Sequence, residues 1–161
     1  MRNVRSTHDL ACDPETFWKT FLDSEYTKKF HLEELGFTEY EILEQTDSMR
    51  KVRVVPKLNM PGPVMKLLGD RFGYVQEGTL DRNKSEFRWR MIPSTMADKL
   101  IVHGVVRIQP RDGGLCRRVD DVTLDAKVFG IGGLIESSTE KQLHDTWKKE
   151  HAFLDRWLRD R

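Results

Sequence analysis

The sequence predicts an α+β fold in which a long C-terminal helix lies across an antiparallel sheet. Three observations carry the prediction. From Tyr40 to Val128 apolar residues recur with a period of two beside charged neighbours, the pattern of antiparallel strands with one wet face. Residues 134–160 contain no Pro or Gly and read as one helix. Between residues 13 and 36, start and stop signals mark two short helices.

In chain order, residues 2–11 alternate loosely through Val4, Ser6, His8 and Leu10 and read as the first strand. Asp13-Pro14-Glu15 then starts a helix. The Asp side chain can accept from free N–H groups, Pro lacks an N–H where none is needed, and Glu faces the positive helix end. Phe17, Trp18, Phe21 and Leu22 give this helix one apolar face. Asp23-Ser24 ends it and caps a second, which carries Tyr26, Phe30, Leu32 and Leu35 and closes at Gly36. Tyr40 and Ile42 alternate with Glu39 and Glu41, Val52 and Val54 with Lys51 and Arg53, and Phe87, Trp89 and Met91 with Arg88 and Arg90. Leu100, Val102, Val106 and Ile108 share one phase, as do Val122, Leu124, Ala126 and Val128. Breaks at Thr46-Asp47-Ser48, Asp81-Arg82-Asn83 and Arg111 to Gly114 read as hairpin turns. The expected order is strand, two helices, about six meandering strands and one long helix. A twisted sheet and a helix diverge, so the space between them is either filled by large side chains or left as a cavity.

Composition narrows the function classes. A chain of 161 residues fits one domain spanning 1–161, and 38% apolar residues suffice for its core. The 27 Lys+Arg against 26 Asp+Glu give no electrostatic reason to expect a nucleic-acid partner. Cys12 and Cys116 have no Cys or His at metal-ligand spacing and read as free thiols. His144 and His151 lie two helical turns apart, about 10 Å, too far to share a metal ion. No metal and no cofactor are therefore expected. The N-terminus lacks an apolar signal core and no apolar run approaches ~18 residues, so the cytoplasm is the expected location.

Four features are candidates for function. Period two places Arg118 and Asp120 on the inward side with Cys116 and Val122, unless a bulge or the strand end turns them into solvent. Tyr74, Phe87, Trp89 and Met91 form a stripe that serves either a core or a ligand site. The proline-punctuated loop from Pro56 to Pro63 leads into Val64-Met65-Lys66-Leu67-Leu68, which either caps a cavity mouth or tucks onto the core. Gly130-Ile131-Gly132-Gly133 has the wrong spacing for a phosphate-binding loop and reads as a tight, mobile exit from sheet to helix.

Residues Pro61 to Asp70, Tyr74-Val75-Gln76, Gly104 to Ile108, Gly113-Gly114 and Val128 to Glu136 carry a resemblance that covers nearly the whole chain. They resemble a bacterial family with a domain-of-unknown-function label, within the START-like (helix-grip, Bet v 1-type) superfamily. The PRELI-type lipid-transfer domains are similar in overall plan. The resemblance implies a curved sheet of about seven strands wrapped around the C-terminal helix, with a deep cavity between them for lipids, sterols or other hydrophobic molecules. A minority of such proteins, such as aromatase/cyclases, are enzymes, and no catalytic residue carries over to this chain.

The leading expectation is therefore binding or transfer of a hydrophobic small molecule, lipids included. Its walls would be Trp18, Tyr40, Val54, Tyr74, Phe87, Trp89, Met91, Val102, Val106 and Leu124, and its polar points Arg118, Asp120 and Gln142. Met60, Val64, Met65, Leu67 and Leu68 would form a gate with transient membrane-surface contact, and Gly130, Gly132 and Gly133 would let the helix start move. The alternatives are a cyclase or hydrolase using Asp120 beside Arg118, and a protein-interaction module with a filled cavity. The sequence does not indicate an oligomeric state.

Overall fold

Strand β1 (Arg2–Leu10) leads through two short helices, α1 (Pro14–Phe21) and α2 (Ser24–Lys29), into a meander of six strands. These are β2 (Glu39–Gln45), β3 (Met49–Val55), β4 (Tyr74–Asp81), β5 (Glu86–Pro93), β6 (Leu100–Pro110) and β7 (Cys116–Ala126). Helix α3 (Gly62–Leu68) lies between β3 and β4, and α4 (Gly132–Arg159) ends the chain in this computed structural model, which describes residues 1–161. All seven strands form one antiparallel sheet in the order β1-β7-β6-β5-β4-β3-β2. Apart from β1–β7, every pairing joins strands consecutive in sequence: tight turns link β2 to β3, β4 to β5 and β6 to β7, a short loop links β5 to β6, and the segment carrying α3 links β3 to β4. The sheet, long helix and two short helices are those expected.

The predicted caps are in place. Asp13 accepts from the Thr16 N–H at 2.7 Å, and Asp23 from the Tyr26 N–H at 2.9 Å. The second helix departs from expectation past Lys29, where Phe30–Glu34 is a π-helical turn. There the His31 ring bonds the Thr27 carbonyl at 2.7 Å, and the Leu35 N–H reaches back five residues to the Phe30 carbonyl at 3.0 Å. Gly36, at φ +71°, then turns the chain toward β2.

The apolar interior is divided. At one end α1, α2 and the last turns of α4 bring Phe17, Phe21, Tyr26, Phe30, Phe153 and Leu154 against Phe87 and Ile108 of the sheet. At the other, α3 and the first turns of α4 close over Phe72 and Leu100 through Val64, Leu68 and Ile135. Between these two plugs α4 touches the sheet along β7 and β1, where Trp147 covers Val4, Val122 and Leu124. Opposite β3 to β6 the helix stands off. Gly104 shapes that region: a Cβ there would sit 2.7 Å from Trp89 Cζ2 and 2.8 Å from the Asp121 carbonyl. Its absence lets the Trp89 indole lie down on the sheet.

Candidate functional site

The space between the plugs is a cavity of about 260 Å³. Twenty-one of its 34 lining residues are hydrophobic, so an occupant is mostly apolar. Of the residues expected in its wall, Tyr40, Tyr74, Phe87, Trp89, Met91, Val102, Val106, Arg118, Asp120 and Gln142 all border it. Three do not. Trp18 belongs to the closed-end plug, edge-on to Phe17 and Phe21, with its indole N–H donating to Ser85 Oγ at 2.8 Å. Val54 is buried one pleat beyond Val52, against Tyr40 and Tyr74. Leu124 lies directly under α4 with Trp147. All three face inward as expected, but at depths where another side chain stands between them and the space.

The expected gate divides in the same way. Met60 and Leu68 border the cavity. Val64 is fully buried in the α3 plug, Met65 is half-buried outside the cavity wall, and Leu67 is exposed. Gly130, at φ +83°, makes the turn before α4; it, Gly132 and Gly133 lie outside the wall. Gln142 of α4 accepts a long hydrogen bond from the Asn59 N–H at 3.5 Å, joining helix to loop across the mouth.

Arg118 and Asp120 are inside, resolving the alternative that placed them in solvent. They are 3% and 4% exposed. Neighbours of the same phase on β7, they bond side by side: Arg118 Nε donates to Asp120 Oδ2 at 2.7 Å and Nη2 to Oδ1 at 3.1 Å. Arg118 Nη1 donates to Glu150 Oε2 of α4 at 3.0 Å. One guanidinium thus fastens helix to sheet across the cavity floor, its central carbon 5.5 Å from the Phe17 ring centre and 5.7 Å from that of Phe21. Burial alone would lower the Arg118 pKa; Asp120 and Glu150 reverse this and hold it above its usual value. Burial likewise pushes the Glu150 carboxyl up, and Arg118 brings it below the ordinary carboxylate value.

Among the polar groups of the wall that the sequence reading did not assign to it are Tyr26, Thr27, His31, Arg50 and Glu150. Arg50 shares the phase of Val52 and Val54, and Glu150 falls one turn from both Trp147 and Phe153, so each carried a positional signal. Tyr26 stood on the apolar face of the second helix with Phe30, whereas His31 lies in the π turn, which alters the face expected of an α-helix there. Thr27 Oγ1 and the Tyr40 hydroxyl are 2.7 Å apart, and the His31 ring stacks on Tyr40 at 4.4 Å.

Burial pushes the His31 imidazole down to about 4, so it is neutral at pH 7 with its Nδ1–H donated to the Thr27 carbonyl. In the unfolded chain this histidine takes up its proton near pH 6.5. Its contribution to stability is therefore complete above pH 6.5 and is lost as pH falls toward 4, on the order of 3 kcal/mol. Urea denaturation between pH 7 and 4 should show a flatter pH dependence for His31→Phe than for the unaltered chain. Equal slopes would show that His31 plays no part in it.

The opposite sheet face is polar and open. Its Arg5 and Arg107 pair with Asp121, Arg88 with Glu86, and Arg117 with Asp9, so its cations are locally neutralised. No helix of the chain is long and apolar enough to cross a membrane.

A family model described as a protein of unknown function (DUF2505) matches residues 5–158. No curated protein matches the chain. Among solved structures, TTHA0849 from Thermus thermophilus superposes with a TM-score of 0.68 at 17% identity, covering 94% of this chain and 96% of that one. A START superfamily protein from Mycobacterium smegmatis gives 0.66 at 14% identity over 97% and 98% of the two chains. The Zhui aromatase/cyclase from Streptomyces sp. R1128 gives 0.65 at 14% identity over 94% and 90%. At these identities the likeness is one of fold.

Proposed function

The chain belongs to the DUF2505 family and has the START-like, helix-grip fold, and from that premise we propose that it binds a hydrophobic small molecule between its sheet and α4. The observation that carries this reading is the open, mostly apolar space left between two well-filled plugs. Its volume lies just below the usual range for ligand pockets, about 300–1,000 Å³, which favours a single acyl chain or a few fused rings over a two-chained lipid. Covering about 300 Å² of apolar ligand surface is worth about 7 kcal/mol before ordering costs, which corresponds at best to about 10 μM, so tighter binding needs a larger apolar body or a polar contact. An interaction module with a filled cavity fits less well, because the space is open.

Entry is assigned to the end where α3 meets the start of α4. There the plug is small, and Leu67, Phe129 and Leu134 are exposed. Exposed apolar side chains beside a mouth suit brief contact with an apolar surface, such as a membrane, during loading.

The second reading is an enzyme using Asp120 as acid or base, and the burial of Asp120 in the cavity wall favours it. Burial pushes that carboxyl up, yet both its oxygens accept from Arg118, which suits a brace better than a proton carrier.

Titration with the neutral fluorophore N-phenyl-1-naphthylamine tests the leading reading. One saturable site of micromolar affinity is expected. No saturable emission change would refute binding in the cavity.

A further inference from the structure

We infer that the cavity prefers ligands bearing a carboxylate, and that Arg50 is the group that receives it. The inference rests on the binding function proposed above and adds the polar end of the ligand.

Two guanidinium groups reach the cavity wall, and they are matched very differently. Arg118 has a bidentate partner in Asp120 and a second carboxylate in Glu150. Arg50, only 9% exposed, forms no ion pair at all. Of its five N–H donors one is matched, Nη1 to the Phe21 carbonyl at 2.6 Å. Glu150 acts on Arg50 through space but contacts only Arg118. A buried cation without a contacting anion is costly, and a fold that keeps one commonly does so for a ligand.

The surroundings of Arg50 suit a carboxylate head with an apolar body. The guanidinium lies 4.9 Å from the centre of the Phe21 ring, an aromatic contact that leaves most of its N–H edge unmatched. The Tyr26 hydroxyl borders the same cavity, fully buried and without a hydrogen-bond partner. Tyr26 and Arg50 are near enough to influence each other's ionisation. A planar carboxylate can take two parallel N–H donors from Arg50, and a spare oxygen lone pair can accept from Tyr26. A neutral hydroxyl head accepts without the charge, so acid and alcohol of equal chain length separate the contributions.

The test is displacement of N-phenyl-1-naphthylamine at pH 7.4 by decanoic acid and by 1-decanol. The acid should bind at least tenfold more tightly than the alcohol. In Arg50→Met the two should come within about twofold while the probe still binds. Arg50→Lys should keep part of the preference, and Tyr26→Phe should weaken the acid alone by a few fold. Equal binding of acid and alcohol to the unaltered protein, or an undiminished preference in Arg50→Met, would overturn the assignment while leaving the cavity reading intact. Failure of the probe itself to bind the unaltered protein would remove both. The comparison in the unaltered protein decides the matter even where a variant folds poorly.

Discussion

Replacing Arg118 with methionine is expected to cost about 3–5 kcal/mol of stability, the largest effect of any single charged side chain in this fold. The methionine fills much of the same space, so the cost is not one of volume. It arises because Asp120 and Glu150 are left in the interior with no cation between them. Two buried carboxylates without a partner must take up protons or draw in water. The link between β7 and α4 is lost at the same time. Adding Asp120→Asn and Glu150→Gln to the methionine variant should recover much of the loss, since the buried charges then go together. Urea denaturation at pH 7 measures each variant. A loss below about 1 kcal/mol for Arg118→Met would mean that solvent, not Arg118, compensates the two carboxylates.

Replacing Val102 with tryptophan is expected to weaken probe binding more than about 100-fold with little change in stability. Val102 pairs with Met91 across β5 and β6 and borders the space under α4. Overfilling a close-packed core costs about 1–3 kcal/mol, but here the added ring has a cavity to enter. Its buried surface offsets whatever strain it causes. Binding measured by fluorescence and stability measured by denaturation should therefore part company. A tight-binding Val102→Trp protein would place the ligand elsewhere.

Much of the fold was legible from local signals. Asp13 and Asp23 act as the caps their positions suggest, and the hairpin breaks fall between the strands they separate. Period two also placed Arg118 and Asp120 correctly, because a strand of eleven residues without a bulge carries its phase to the end. What periodicity does not carry is depth. Trp18, Val54 and Leu124 face inward, yet whether an inward residue meets the cavity depends on where α4 comes down on the sheet. That crossing is set by long-range packing, and no local pattern encodes it. Arg50 shows the opposite failure. Its phase with Val52 and Val54 was visible, but charges on both phases of β3, at Arg50, Lys51 and Arg53, made it resemble a solvent-facing residue. Only the fold shows that this one of the three is buried and unpaired.

Intermolecular NOEs from bound N-phenyl-1-naphthylamine to the protein methyl groups test most directly whether the space under α4 is the binding site. Contacts to Met91, Val102 and Val106, which border the cavity from three positions on β5 and β6, are predicted. Contacts confined to Val105 and Val119 on the opposite sheet face, or none at saturating probe, would contradict it.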